Sequence, residues 1–281
     1  MSDILSAELD HCRELAMPPG SVFEFTGRFL SVSELQPLLA LYALRQAIAT
    51  IPYLSADDSV KWAKLKWWSD EILADPASPS RHPILRVLQA SGAKERLPDS
   101  MLQLLIRDTV TQIETAPVSD EKDLFERDAA LGCTEIELEL ALDDAGIDDR
   151  NMKFLGAAMN SFRLISGFAA NNRSGVHHLP LSILAKYNVG SAQLEQNLFP
   201  DEFSKIIMQL IDLTLDWYSQ GISGLSISSK EKNGKHLRLR WAMEKRRLAT
   251  IRKDLDGFLQ SGQQFGPTDA WFAWRFLRKL K

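Results

Sequence analysis

Apolar residues recur at helical spacing along nearly the whole chain, and no stretch alternates convincingly in the two-residue period of a strand. Leu35, Leu38, Leu39, Leu41, Tyr42 and Leu44 make a thick apolar face of this kind. Further helical runs cover 60–73, 84–88, 101–113, 125–142, 151–170, 203–218, 237–259 and 269–280. Ser55-Ala-Asp-Asp58 precedes one run, and a Ser followed by an acid three residues on marks a helix start. Pro76 and Pro79 close that run, and His82-Pro83 opens the next. The one Asn-Gly pair, Asn233-Gly234, lies in a polar loop and joins no strands. The connecting loops near 75–82, 186–202 and 226–235 are short, so one helical domain over residues 1–281 is expected.

A net charge of -4 gives no electrostatic reason to bind nucleic acid, and no nucleic-acid partner is expected. The two cysteines, Cys12 and Cys133, match no metal or redox spacing, so a reducing compartment is expected. The first twelve residues are polar and acidic, unlike a secretory signal. No apolar stretch reaches the ~20 residues that cross a bilayer. The expectation is a cytoplasmic protein, at most peripheral to a membrane.

Several segments, in order, resemble the squalene/phytoene synthase family of head-to-head prenyl synthases. These are 23–46 (FEFTGRFLSVSELQPLLALYALRQ), 64–72 (KLKWWSDEI), His82-Pro83-Ile84-Leu85, the stretch from Leu155-Gly156-Ala157-Ala158 to Leu179-Pro180, and the Trp- and Arg-rich end at 267–281. The resemblance implies an all-α fold: an isoprenoid-synthase-type helical bundle around a central cavity. In active members, two helices bearing carboxylates hold magnesium ions, which neutralise a departing diphosphate.

Counted from the arginine that matches Arg45, the first aspartate motif falls at Ile48, Ala49 and Pro52. Counted back from Leu179-Pro180, the second falls at Gly167 and Asn171, with an intervening acid near Ala170. No carboxylate stands at any of these positions. The resemblance therefore implies a metal-free, non-catalytic relative with no cofactor, and Tyr42, Arg45, Asn171, Arg173, His178 and Arg240 as candidate cavity or substrate residues. Tyr42-Ala43-Leu44-Arg45 and the 155–180 stretch are similar to the branch containing the mitochondrial complex I assembly factor. That likeness implies isoprenoid binding or a role in respiratory-complex assembly. The alternative is an active prenyltransferase whose magnesium ligands have moved, with Asp57, Asp58 or Asp70 standing in.

Other groups read more plainly. Asp57 and Asp58 suit a helix start, where carboxylates complement the dipole. Glu135, Glu137 and Glu139 alternate along a helix, and a solvated side is expected for most of them. Gly167 is expected to permit close packing. His177-His178 lacks a third ligand at metal spacing. Trp62, Trp67 and Trp68 are expected in the core, with Lys61, Lys64 and Lys66 at its rim. The basic run 235–253 supplies arginines suited to a diphosphate. The basic-aromatic C-terminus suits either a docked helix or an anionic membrane surface.

Overall fold

Several helix starts in this chain are set by side chains that satisfy the first free backbone N–H groups. Ser31 and Glu34 form a capping box, in which the Ser31 N–H donates to Glu34 Oε2 at 2.8 Å. Asp57 accepts from the Ser59 N–H at 2.8 Å, and Asp148 from Asn151 at 3.0 Å. His82 Nδ1 accepts from the Ile84 N–H at 3.3 Å, directly before Pro83 at the first helical position.

The computed structural model describes residues 2–55, 57–74, 80, 82–114, 117–143, 145–168, 179–190, 202–223, 225, 234–261 and 265–279. In chain order the helices are α1 Ser2–Ala16, α2 Val22–Thr26, α3 Val32–Ala49, α4 Asp58–Ile72, α5 Pro83–Ala90, α6 Ala93–Arg96 and α7 Asp99–Glu114. They continue with α8 Glu121–Asp143, α9 Asp149–Gly167, α10 Leu181–Lys186, α11 Glu202–Ser223, α12 Lys235–Ile251, α13 Leu255–Ser261 and α14 Pro267–Lys279. No strand occurs among the described residues. The expected all-α class therefore stands.

Two compact units divide the chain. The first comprises Met1–Thr115 and Glu137–Ala145, the second Ala116–Ile136 and Gly146–Lys281. Within the first, α1, α3 and α5 pack on one another, and α7 packs on α3 and α4. Its core takes Cys12 and Ala16 from α1, Leu39, Leu44 and Ile48 from α3, and Ile84 and Leu88 from α5. The last turns of α8 add Leu138 and Leu142. Each leucine or isoleucine among them contributes about 1.5–3 kcal/mol by burial.

In the second unit α9 packs along α11, and α12 packs on α9, α11 and α14. The first part of α8 meets α9 backbone to backbone. A Cβ added at Gly132 would lie 2.0 Å from the Gly156 carbonyl oxygen. Glycine is required there because any side chain would hold the helices apart. Ser161 and Thr214 join α9 to α11 by a buried hydroxyl pair at 2.8 Å.

Two expectations about helices change. The run expected over 237–259 is two helices. Asp254 accepts the Gly257 N–H at 3.0 Å and starts α13 afresh. Trp62 and Trp67 are exposed, and of the three tryptophans only Trp68 is buried. The face of α4 that packs inward is Leu65, Trp68 and Ile72, at spacings of three and four; Trp62 and Trp67 fall off it.

Candidate functional site

The helix expected to carry the first motif is α3. Tyr42 is buried, with the Phe23 ring stacked 4.3 Å from it. Its hydroxyl donates to Glu139 Oε2 at 2.5 Å. The Arg45 guanidinium lies 5.8 Å from the Tyr42 ring centre. The fold thus brings two predicted residues, Tyr42 and Arg45, to one place in the first unit. It adds a third, Glu139, that is fully buried.

The three positions counted as the first motif behave differently. Ile48 is 1% exposed and belongs to the apolar core of the first unit. Ala49 and Pro52 are half-buried. Of the second motif, Gly167 is the last residue of α9 and half-buried. A Cβ there would meet no atom of the described residues within 4 Å, so Gly167 serves no close packing among them, contrary to expectation. The close approach belongs to Gly132 and Gly156. Ala170, Asn171, Arg173, His177 and His178 lie outside the described residues. The side chains of Ile48, Ala49 and Pro52 contain no oxygen and Gly167 has no side chain, so these four positions offer magnesium no side-chain ligand.

Arg240 is the predicted residue with the most developed surroundings. It is buried on α12, where its Nη1 donates to Glu135 Oε1 of α8 at 2.5 Å. Its Nε donates to Glu244 Oε1, one turn along α12, at 2.7 Å. Glu135 also accepts from Arg163 of α9, and Glu244 from the Tyr218 hydroxyl of α11. Burial, followed by the Glu244 carboxylate, pushes the Tyr218 hydroxyl well above its ordinary range, so it stays a proton donor. Two carboxylates and two guanidiniums balance, and the chain of bonds ties α8, α9, α11 and α12 together. The expectation that this arginine serves a diphosphate meets a side chain already held by two glutamates.

One turn before Gly132, Asp128 is also fully buried. Its Oδ1 accepts from Arg127 Nη2 at 2.8 Å and from Asn160 Nδ2 at 2.9 Å. Burial raises its carboxyl above the ordinary range, against relief from Arg127. Asp128, Glu135 and Glu139 are seven and four residues apart, so they share one face of α8. The expected solvated side is wrong for Glu135 and Glu139, which are buried; Glu137 is half-buried. The spacing carried the signal. Two acids four apart occupy one face, while the residue between them does not.

The acids considered as stand-ins lie elsewhere. Asp57 and Asp58 are exposed: Asp57 caps α4, and Asp58 pairs with Lys61 at 2.8 Å. Asp70 is exposed and pairs with Lys66 at 3.0 Å. Among the described residues, no three His, Cys, Asp or Glu side chains gather as a metal-holding group.

The all-α fold is of the isoprenoid-synthase type found in solved structures that it resembles. The chain belongs to the squalene/phytoene synthase family, whose model matches residues 20–265. Solved structures similar in fold include squalene synthase HpnC from Alicyclobacillus acidocaldarius. That structure matches at 17% identity and TM-score 0.66, covering 91% of this chain and 96% of that one. A dehydrosqualene synthase in complex with ligand matches at 13% identity and TM-score 0.68, covering 98% and 96%. Among curated proteins none matches significantly. No helix among the described residues is long and apolar enough to cross a membrane.

Proposed function

We propose that this chain holds an isoprenoid or similar apolar molecule without the magnesium-dependent loss of diphosphate, as a non-catalytic member of its family. The observation that carries this reading is Ile48. The position where the family's first carboxylate is expected is committed to the apolar core of the first unit. An ionised carboxylate placed there without a partner would cost far more than the roughly 1.5–3 kcal/mol that the isoleucine contributes.

The buried acids support the same reading. Glu135, Glu139 and Glu244 are each bonded to an arginine or a tyrosine within their own unit. The alternative, an active prenyltransferase with displaced ligands, needs acids free to take a metal. Asp57, Asp58 and Asp70 are exposed and bonded locally, which favours the first reading. The finer likeness of the Tyr42–Arg45 stretch leads us to propose, as the physiological setting, assistance to respiratory-complex assembly.

Solvent extraction of the purified protein followed by mass spectrometry tests the binding. An isoprenoid or comparable apolar molecule in near-stoichiometric amount is expected. A protein that yields none, and that takes up neither added farnesol nor farnesyl diphosphate in calorimetry, contradicts the proposal.

A further inference from the structure

The last helix, α14, presents two faces of different character. Its inner face, Phe272, Ala273, Phe276 and Leu277, is buried or half-buried. It is fixed to α12 by Arg246, whose Nε donates to Asp269 Oδ1 at 2.8 Å and whose guanidinium lies 5.0 Å from the Phe272 ring centre. The outer face carries Trp271, Trp274, Arg275 and Arg278 at i, i+3, i+4 and i+7. Trp271 is 58% exposed and Trp274 47%. The Arg275 guanidinium sits 5.2 Å from the Trp271 ring centre, and that of Arg278 3.9 Å from Trp274.

Exposing two indoles forgoes the burial that most tryptophans obtain. The charge around them is one-sided. Asp269 is the only acid on α14, and Arg246 occupies it, while Arg275, Arg278 and Lys279 follow. The exposed tryptophans of α4 make the contrast. There, Lys61 and Lys66 are each paired with an acid of the same helix, Asp58 and Asp70, so most of its basic charge is met locally. Indoles favour the boundary between acyl chains and headgroups, and arginine reaches from an apolar layer to phosphate.

From this juxtaposition we infer that α14 docks the protein on an anionic lipid surface, with Trp271 and Trp274 entering the interface and Arg275 and Arg278 binding headgroup phosphates. The inference is independent of whether the protein holds an isoprenoid.

Co-sedimentation with vesicles tests it. The full chain binds vesicles of equal parts phosphatidylglycerol and phosphatidylcholine, weakens as salt is added, and binds phosphatidylcholine alone far less. Arg275→Gln with Arg278→Gln weakens binding about 30-fold, from about 1 kcal/mol per basic residue near such a surface. Trp271→Ala with Trp274→Ala also weakens it, whereas Trp62→Ala, at the other exposed indole surface, leaves it unchanged. All of these positions are exposed, and circular dichroism checks that the variants remain folded. Wild-type protein that stays in the supernatant with anionic vesicles overturns the inference and leaves the face to a protein partner. Equal binding to neutral vesicles, or undiminished binding by the arginine variant, overturns it as well.

Discussion

Replacing Arg240 with methionine removes one positive charge from a buried set of two carboxylates and two guanidiniums. Methionine keeps most of the side-chain length, so the change isolates charge and hydrogen bonding from volume. Glu135 retains Arg163, and Glu244 retains the Tyr218 hydroxyl. The second unit is left with one excess negative charge on the buried Glu135 and Glu244, which the half-buried Arg163 offsets only in part. Breaking a buried pair from one side costs about 3–5 kcal/mol, because the other charge remains buried without full compensation. For a chain of this size that corresponds to roughly a 10 °C fall in melting temperature. Thermal unfolding followed by circular dichroism reads the effect directly. Adding Glu244→Gln removes the excess charge and should recover part of the loss. An Arg240→Met protein that melts within about 1 °C of wild type would refute the reasoning. It would mean that the network contributes no more than an exposed pair.

Three other outcomes follow from the fold. Gly156→Ala forces a methyl group into the backbone contact between α8 and α9, where a Cβ would come within 2.8 Å of the Cys133 amide nitrogen. It should destabilise by about 1–3 kcal/mol in a denaturant titration, while Gly167→Ala, which meets no described residue, should be nearly neutral. His82 is held below its ordinary range, chiefly by burial and then by His11, with Glu71 opposing. The folded form therefore takes up a proton less readily than the unfolded chain. The cap on α5 is secure above the ordinary histidine value and is lost as pH falls below it towards the folded value. Melting temperature should decline between about pH 7.5 and about pH 5, and His82→Asn, which can also cap, should flatten that decline. Burial, helped by Glu8, pushes the Cys12 thiol up to about 12. Native protein at neutral pH should resist alkylation at Cys12, and rapid labelling there would contradict its placement in the core.

Most of the helices were legible because their apolar residues repeat at the helical period and their caps are ordinary ones. α1 is not among the helices expected from periodicity, although Leu9, Cys12 and Ala16 recur at spacings of three and four. Glu8 lies on that buried face and pairs with Arg86 at 2.6 Å, so an acid there does not mark a solvated helix. The break at Asp254 was hidden because helical periodicity runs through it. Only the capping potential of an Asp three residues before Gly257 distinguishes it.

The candidate site was half legible. Tyr42, Arg45 and Arg240 came from resemblance, and each is placed among charged or aromatic neighbours. Glu135, Glu139, Glu244 and Tyr218 were missed because a buried acid cannot be recognised until its partner is known. The partners here lie up to 105 residues away in sequence, as for Arg240 and Glu135.

The central claim is that a family member with isoleucine, alanine, proline, glycine and asparagine, and no carboxylate, at the expected ligand positions does not ionise an allylic diphosphate. Pyrophosphate release from farnesyl or geranylgeranyl diphosphate, with magnesium and with or without a chelator, measures this directly. The account predicts release at the protein-free rate in both conditions. Turnover that magnesium supports and the chelator abolishes would contradict it, and would require that acids elsewhere in the chain hold the metal.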